Sequence, residues 1–276
     1  MNNPPPLPVR ESLRFLQSAL PRAATVLDVG CGSGELAAAL ALRGHQVTAI
    51  DPSEAAVGAA RALGVAAELG SLETWQPPAA VLFDVLLFSQ SLHHVRDLDE
   101  AMTAASRLAR PGGLVVLEEL AIEAMDAATA LWHFDTLDLV MAGDGHGQGP
   151  AHGHGQGPAH GHGPAHGHGQ GPAHGHGQGP AHGHGQGHGG GRELAPLLRW
   201  KHEHAHDVPL HGSQAMLEAV SRRFTVRSVT RGAYLYRSLS GAAAGRMEAY
   251  LAREDLRIEQ KVIVPIGFRL VAEAAG

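Results

Sequence analysis

The chain has 276 residues and a formal net charge of −6 with its histidines neutral, so it lacks the basic surface typical of nucleic-acid binding. Its one cysteine, Cys31, excludes an internal disulfide framework and is typical of a reducing compartment. The apolar run at 81–88 is too short to span a bilayer, and residues 1–10 have no signal-peptide core, so we expect a cytoplasmic protein with no membrane or nucleic-acid partner.

Hydrophobic periodicity predicts alternating helices and strands before residue 143. The predicted elements are a helix at 9–20, a strand at 25–30, a helix at 34–44, a strand at 46–51, a helix at 53–63, strands at 66–70 and 81–90, a helix at 97–110, a strand at 114–120 and a helix at 122–142. This alternation favours an α/β fold in which a mostly parallel, doubly wound sheet is covered on both faces.

A histidine-rich repeat interrupts the alternation at 144–191. Its unit, GPAHGHGQ, contains no apolar residue larger than alanine and cannot bury enough surface to offset the entropy of ordering. We therefore predict a disordered insertion within one domain, between a first part at 1–143 and a remainder with substrate-cap elements at 192–276. That remainder is predicted to contain helices at 192–202, 213–222 and 242–260 and strands at 224–229, 233–239 and 267–274.

The repeat raises the possibility of a metal-binding protein, because paired imidazoles chelate zinc, nickel or copper. Candidate ligands are His152, His154, His166 and His168. Glycines flank these histidines, so the sequence preorganises none of them. A tolerated linker is the favoured interpretation of the repeat, and metal binding or a partner-binding segment are the alternatives.

The motif VLDVGCGSGELAAAL, at 26–40, contains the strongest functional signal. Its glycines Gly30, Gly32 and Gly34 follow a strand and open a helix, where glycine permits a tight turn and close approach of a ligand. A dinucleotide fingerprint would place its third glycine at Glu35. That carboxylate and Asp28 disfavour a pyrophosphate and favour a ligand with a positively charged amino-acid portion.

A second ligand-binding feature is Asp51, which ends the strand at 46–51. At the carboxyl edge of a parallel sheet, a carboxylate can accept hydrogen bonds from both hydroxyls of a ribose. A ribose, an ammonium group and no phosphate together indicate S-adenosylmethionine as the cofactor.

The sequence here resembles the class I S-adenosylmethionine-dependent methyltransferases, most closely the type 11/type 12 small-molecule groups. The resemblance covers 25–120 and rests on VLDVGCGSG, AIDPS, GSLETW, FDVLLFSQSLHHV and LARPGGLVVLEE. It implies a Rossmann-like sheet of seven strands whose last strand, GFRLVAEA, is antiparallel. It also implies a set of cofactor-binding residues: Asp28, Gly30, Cys31, Gly32 and Gly34 at the methionine end, Asp51 at the ribose, Pro52, Ser71 and Leu72 at the adenine, and Ser89, Gln90 and Ser91 at the sulfonium.

The predicted function is therefore in-line methyl transfer from S-adenosylmethionine to a small-molecule acceptor. The alternative is a metal-buffering or metal-sensing protein that uses nickel, zinc or copper on a methyltransferase scaffold. The complete cofactor motif favours the first, because a metal buffer needs neither the glycine turn nor Asp51. The sequence identifies neither the acceptor, nor the methylated atom, nor the oligomeric state.

The catalytic residue is not predicted by the motif, because a general base is needed only when the acceptor must lose a proton. Candidates are His94, His206 and His211, although a structural role at the strand end is favoured for the pair that His93 and His94 form. His202 and His206 have i, i+4 spacing, which on a helix would place two metal ligands on one face. Further candidates for the acceptor pocket are Trp132, His133, Phe134, Asp135, Glu118 and Glu119, with packing as the alternative.

Overall fold

A seven-stranded sheet runs through the computed structural model, which describes residues 4–77, 81–142, 195–205, 210–239 and 241–276. The strands are β1 (Thr25–Val29), β2 (Gln46–Asp51), β3 (Ala66–Leu69), β4 (Phe83–Ser89), β5 (Ala109–Leu120), β6 (Phe224–Gly232) and β7 (Gly267–Ala274). Their order across the sheet is β3-β2-β1-β4-β5-β7-β6. Only β7 is antiparallel to its neighbours, β5 and β6, which confirms the mostly parallel sheet with an antiparallel last strand.

Helices cover both faces of this sheet. They are α1 (Leu7–Ala19), α2 (Glu35–Ala41), α3 (Glu54–Ala62), α4 (Leu98–Leu108), α5 (Ala127–Ala142), α6 (Pro196–Glu203), α7 (Ser213–Ser221) and α8 (Met247–Glu259). Short 3-10 turns lie at Leu92–His94, Ile122–Ala124, Leu235–Ser238 and Gly241–Arg246. None of the described helices is long and apolar enough to cross a membrane.

The central strands are buried on both faces because helices pack against each side. Leu13 and Leu16 of α1 and Leu40 of α2 join one apolar cluster with β1 and β4. Met102 of α4 and Met216 of α7 join another on the opposite face. The strand order reverses between β1 and β4, and in such sheets ligands bind at the carboxyl edge beside this switch point.

A separate apolar cluster stabilises what we call the cap, formed by α5, α6, α8 and the turn Leu235–Ser238. Its buried members include Phe134, Trp200, Tyr236 and Tyr250, together with Leu7 at the start of α1. The cap segments connect to the sheet at Leu120, Gly232 and Gly267, which pair at one edge of β5, β6 and β7. The cap therefore lies at the carboxyl edge of the parallel strands.

The predicted strand at 233–239 is wrong, since Leu235–Ser238 forms a 3-10 turn. The buried carboxylate of Glu254, on α8, accepts the backbone N–H groups of Tyr234, Leu235 and Tyr236 at 2.7, 2.8 and 3.0 Å. Those donors are consequently taken by a side chain and cannot form a strand ladder. The aromatic and apolar residues that favour a strand, Leu235 and Tyr236 among them, pack into the cap instead.

Several predicted boundaries also shift. The helix predicted at 242–260 is a 3-10 turn followed by α8, and α5 begins at Ala127, after Asp126 accepts the Thr129 N–H at 2.7 Å. Pro196 at the first turn starts α6 later than the predicted residue 192. The pairing of Ala109 with Phe83 extends β5 beyond the predicted 114–120. The insertion at 144–191, with its candidate ligands, lies outside the described residues.

Candidate functional site

The glycine turn between β1 and α2 has three residues in the left-handed region, Gly30, Gly32 and Gly34, at φ +71°, +53° and +78°. A Cβ on Gly30 would lie 2.5 Å from the Cβ of Ser91, and one on Gly34 would lie 2.5 Å from that of Ala60. A Cβ on Gly32 would meet nothing within 4 Å. Two glycines thus permit close packing, and the third leaves an open backbone surface that a ligand can approach.

Asp51 is joined to this turn across the carboxyl ends of β1 and β2. Its Oδ2 accepts the Gly32 N–H and its Oδ1 accepts the Ser53 N–H, both at 2.9 Å. The side chain is buried, and Ser53 also caps α3 by accepting the Ala56 N–H, as the sequence predicts. Each carboxylate oxygen has two lone pairs and uses one on these bonds. Asp51 can therefore also accept a pair of hydroxyls.

A second buried carboxyl, Asp28, lies at the carboxyl end of β1. Burial raises its pKa to about 7, and the charge of Asp51 adds to the effect. A cation bound beside Asp28 would favour its ionised form. Burial and the same two aspartates raise the pKa of the Cys31 thiol to about 12, so this cysteine stays protonated at neutral pH and is no nucleophile.

The residues assigned to the adenine differ in exposure. Pro52 is exposed, and Ser71 is half-buried, with its hydroxyl 2.9 Å from that of Thr74. Leu72 is buried in the core beside Trp75 and Phe83, so its side chain has a packing role. These residues follow β2 and β3, next to Asp51, but Leu72 can meet a ligand only through its backbone.

The end of β4 holds Ser89, Gln90 and Ser91. Gln90 has a left-handed backbone, φ +58°, which is uncommon for a residue other than glycine and concentrates at functional sites. Its side-chain Oε1 accepts the hydroxyl of Tyr234 at 2.9 Å. The Ser91 Oγ is buried without a hydrogen-bond partner in the described part of the chain. This edge therefore combines backbone strain with an unsatisfied hydroxyl, directly beside Gly30.

Glu119 organises the turn that follows β4. This fully buried carboxylate accepts the N–H groups of Ser91 and Leu92 and lies 2.5 Å from Nδ1 of His93. The predicted structural role of the His93 and His94 pair thus holds for His93. His94 is exposed and its ring centroid lies 4.1 Å from that of His93, so it is the histidine at the surface of this edge.

His211 is held by the same turn. Its backbone N–H donates to the His93 carbonyl at 3.1 Å, and its Nε2 donates to the Val95 carbonyl at 2.9 Å. With both groups engaged in backbone hydrogen bonds, His211 ties the segment before α7 to the end of β4. The third candidate, His206, lies outside the described residues.

The helix α6 ends at Glu203, so His202 is in its last turn. Its predicted partner His206 lies outside the described residues, and the pairing stays a prediction. Among the residues the structure describes, no group of three or more histidine, cysteine, aspartate or glutamate side chains could hold a metal ion.

His133 and Phe134 of α5 pack inside the cap. Phe134 is buried, and Nδ1 of His133 lies 2.6 Å from the Tyr250 hydroxyl. Burial lowers the pKa of His133 to about 3, and the positive charge of Arg199 adds to this, so the imidazole is neutral. Packing, the alternative to a pocket role, is what the structure shows for these two residues.

Three residues at the edge were not singled out by their sequence pattern: Tyr234, Arg237 and Glu254. Their arrangement depends on α8 meeting the turn Leu235–Ser238, which is a tertiary contact. Glu254 could have been noticed from its spacing, since it follows Tyr250 by four residues on one face of a predicted helix. Both side chains are buried in the structure.

Comparison with known families identifies the first part of the chain. A sequence-family model described as "Methyltransferase domain" matches residues 7–162, which is more than half of the chain. A ubiquinone biosynthesis O-methyltransferase of Azoarcus sp. (strain BH72) is 39% identical over 101 residues, 34% of this chain and 43% of that protein. One of Rhizobium leguminosarum bv. trifolii (strain WSM2304) is 34% identical over 112 residues, 39% of this chain and 44% of that protein. The chain thus spans less than half the length of these curated relatives.

Solved structures extend the likeness over the whole fold. An S-adenosylmethionine-dependent methyltransferase from Mesorhizobium loti matches 94% of this chain and 96% of its own length, with a TM-score of 0.52 and 18% identity. The [4+2]-cyclase SpnF matches 97% of this chain and 81% of its own length, with a TM-score of 0.50 and 17% identity. A cyclase with this architecture shows that the fold alone does not decide the reaction. On its sequence and topology, the chain belongs to the methyltransferase-domain family and has the class I S-adenosylmethionine-dependent methyltransferase fold.

Proposed function

We propose that the protein transfers a methyl group from S-adenosylmethionine to a small-molecule acceptor. The observation that supports this most directly is the contact of Asp51 with the Gly32 N–H, because it joins a ribose-binding carboxylate to an open glycine turn. A pyrophosphate does not suit this site, since Asp28 and Asp51 are both buried at the turn. We also propose the division of the chain into a first part at 1–143, an insertion at 144–191 and a remainder at 192–276.

The chain's residues fit S-adenosylmethionine in three places. Gly32 exposes its backbone because it has no side chain, and Asp51 keeps lone pairs for two hydroxyls. The ionised form of Asp28 is favoured by a nearby cation, such as the ammonium group of the cofactor. When bound, the cofactor supplies a methyl group on a positively charged sulfur, which needs no further activation.

The protein contributes mainly alignment and exclusion of water. Gln90 and Tyr234 fix the end of β4, and α1 and the cap lie over the carboxyl edge. A hydroxyl acceptor must also lose its proton, and the surface residue His94 is our candidate to take it. The curated relatives match 39% and 34% of the chain and so do not identify the acceptor.

Cofactor affinity is expected to rise with pH up to about 7. Below that value Asp28 is protonated in the ligand-free protein, and a cationic ligand favours the ionised form, so binding releases a proton. The association constant should rise by up to roughly tenfold per pH unit between about pH 5.5 and 7 and then level off. Isothermal titration calorimetry at several pH values measures this, and Asp28→Asn should give a flat profile. A wild-type profile as flat as that of the variant would contradict the role of Asp28.

Methyl transfer itself can be tested without knowing the acceptor. The purified chain is incubated with S-adenosylmethionine and fractions of a small-molecule extract, and S-adenosylhomocysteine is measured by mass spectrometry. We expect one fraction to yield S-adenosylhomocysteine and a product heavier by one CH₂ group. Absence of turnover in every fraction, at a protein concentration that binds the cofactor, would argue against the proposed function.

A further inference from the structure

A small cavity lies at the carboxyl edge, where β5 and β6 end and β7 begins. Its volume is about 10 Å³, close to what one water molecule needs, so a larger group enters only when neighbouring side chains move aside. The lining residues are Glu118, Glu119, Gly232, Ala233, Tyr234, Arg237, Gly267, Phe268 and Arg269. Tyr234 connects the cavity to the end of β4, because its hydroxyl donates to Gln90. A group bound here would therefore lie next to the residues assigned to the sulfonium.

The carboxylate of Glu118 is saturated with protein donors. Its Oε1 accepts Nε and Nη2 of Arg269 at 3.0 and 2.6 Å. Its Oε2 accepts the Ser12 hydroxyl and lies 3.2 Å from Nη2 of Arg237. A carboxylate has about four acceptor positions, and all four are used.

Glu119, the other carboxylate at the cavity, is engaged in a similar way. It accepts two backbone N–H groups and contacts Nδ1 of His93, as described above. Glu118 therefore has no acceptor position left for a hydrogen-bond-donating part of a substrate, and Glu119 has one.

Arg237, in contrast, keeps unused N–H donors that can bind an anionic group. A guanidinium carries five N–H donors, and the contacts of Arg237 with Ser12 and Glu118 both use the single nitrogen Nη2. A further donor binds the Tyr236 side chain, which leaves two N–H groups for a ligand. The guanidinium is almost fully buried, and its carbon lies 5.7 and 5.4 Å from the ring centroids of Tyr234 and Tyr236. In such surroundings a charge-assisted bond to an anion is stronger than at an exposed site.

The position of Arg237 is fixed from outside the cavity. Glu254 holds the backbone of residues 234–236 through three hydrogen bonds, and this turn leads directly to Arg237. Ser12, on α1, occupies Nη2 in the present state. An incoming anion can take over that donor when the Ser12 hydroxyl releases it, and Ser12 keeps Glu118 as its acceptor.

We propose that Arg237 binds a carboxylate of the methyl acceptor, so that the substrate is a small carboxylic acid. This inference rests on the proposed methyltransferase function. Arg237 and Arg269 both pair with Glu118, whose acceptor positions are all used. The remaining N–H donors of Arg237 line the cavity that Tyr234 connects to Gln90. The acceptor's negative charge would be held there, and its reacting atom would face the end of β4.

The test compares acids with their methyl esters on the protein saturated with S-adenosylhomocysteine. The probes are 3,4-dihydroxybenzoate, 3-hydroxypropanoate and glycine, each titrated beside its methyl ester by isothermal titration calorimetry. We expect at least one acid to bind on the order of tenfold or more tightly than its ester. Arg237→Gln should bring the acid to the ester's affinity, whereas Arg227→Gln, which breaks the exposed pair with Glu273, should leave it unchanged.

Three results separate this inference from the proposed function. If S-adenosylhomocysteine binds but every acid binds no better than its ester, or no acid binds, the role of Arg237 is wrong and the proposed function stands. If Arg237→Gln keeps the wild-type preference for the acid, the role of Arg237 is likewise wrong. If S-adenosylhomocysteine itself does not bind, the proposed function fails. The wild-type comparison of acid and ester is informative even if Arg237→Gln does not fold.

Discussion

Asp51→Ala is expected to lower the affinity for S-adenosylmethionine by on the order of 100- to 10,000-fold. The substitution removes the carboxylate that we propose as the acceptor of two ribose hydroxyls, and hydrogen bonds to a charged group contribute about 1.5–3 kcal/mol each. It also leaves the Gly32 N–H and the Ser53 N–H without the carboxylate that holds them. Isothermal titration calorimetry of the variant and the wild type measures the change directly.

Asp97→Ala is the matched control for this substitution. Asp97 likewise accepts two backbone N–H groups, those of Asp99 and Glu100 at 2.8 and 3.0 Å, but it caps α4 away from the glycine turn. We expect Asp97→Ala to lower the free energy of unfolding by about 1 kcal/mol without changing cofactor affinity. Equal affinities for Asp51→Ala and wild type would show that Asp51 does not hold the ribose.

Gly34→Ala is expected mainly to lower stability, and Gly32→Ala mainly to weaken cofactor binding. In Gly34→Ala the new Cβ would lie 2.5 Å from the Ala60 Cβ and 2.7 Å from its Cα, in a left-handed residue. Strain and overpacking should together lower the free energy of unfolding by about 2–4 kcal/mol. Gly32→Ala meets no atom within 4 Å, so its loss of stability should be limited to the left-handed strain, about 1–2 kcal/mol.

Cofactor affinity, measured on the folded variants, should fall more in Gly32→Ala than in Gly34→Ala. The Gly32 Cβ would point into the open surface where we place the cofactor, so Gly32→Ala should weaken binding by roughly tenfold or more. Urea unfolding and calorimetric titration of the two variants give both quantities. Gly32→Ala binding as tightly as wild type would mean that the open face of the turn is not the ligand-binding face.

The cofactor half could be predicted from the sequence because its determinants are local. Strand, glycine turn and helix follow each other within VLDVGCGSGELAAAL, and the three left-handed glycines lie where the motif places them. Asp51 was also predictable, since parallel strands bring the ends of β1 and β2 to one edge. Leu72 shows the limit of this reasoning, because its position along the chain did not reveal that its side chain packs into the core.

The cap could not be predicted in the same way, because its geometry depends on contacts between distant segments. The 233–239 segment is rich in aromatic and apolar residues like a strand, yet Glu254, almost twenty residues later, binds its backbone donors and fixes a 3-10 turn. Arg237 is one of six arginines between residues 222 and 246, and nothing in the sequence distinguishes it from the others. Its relation to Glu118 becomes visible only when the turn and β5 meet.

The histidines illustrate why composition alone was a poor guide to the site. Twelve of the twenty lie in the repeat, outside the described residues, while His93, His133 and His211 are among those that make hydrogen bonds within the fold. Each of these has a hydrogen-bond partner that gives it a structural role. The residues best placed for cofactor chemistry come from the glycine turn and the strand ends instead.

A crystal structure of the protein with S-adenosylhomocysteine tests the central claim most directly. We expect ligand density along the open face of Gly32, with both ribose hydroxyls on Asp51 and the sulfur beside Gln90. Density elsewhere on the protein, with the Asp51 carboxylate making no contact to the ribose, would contradict it.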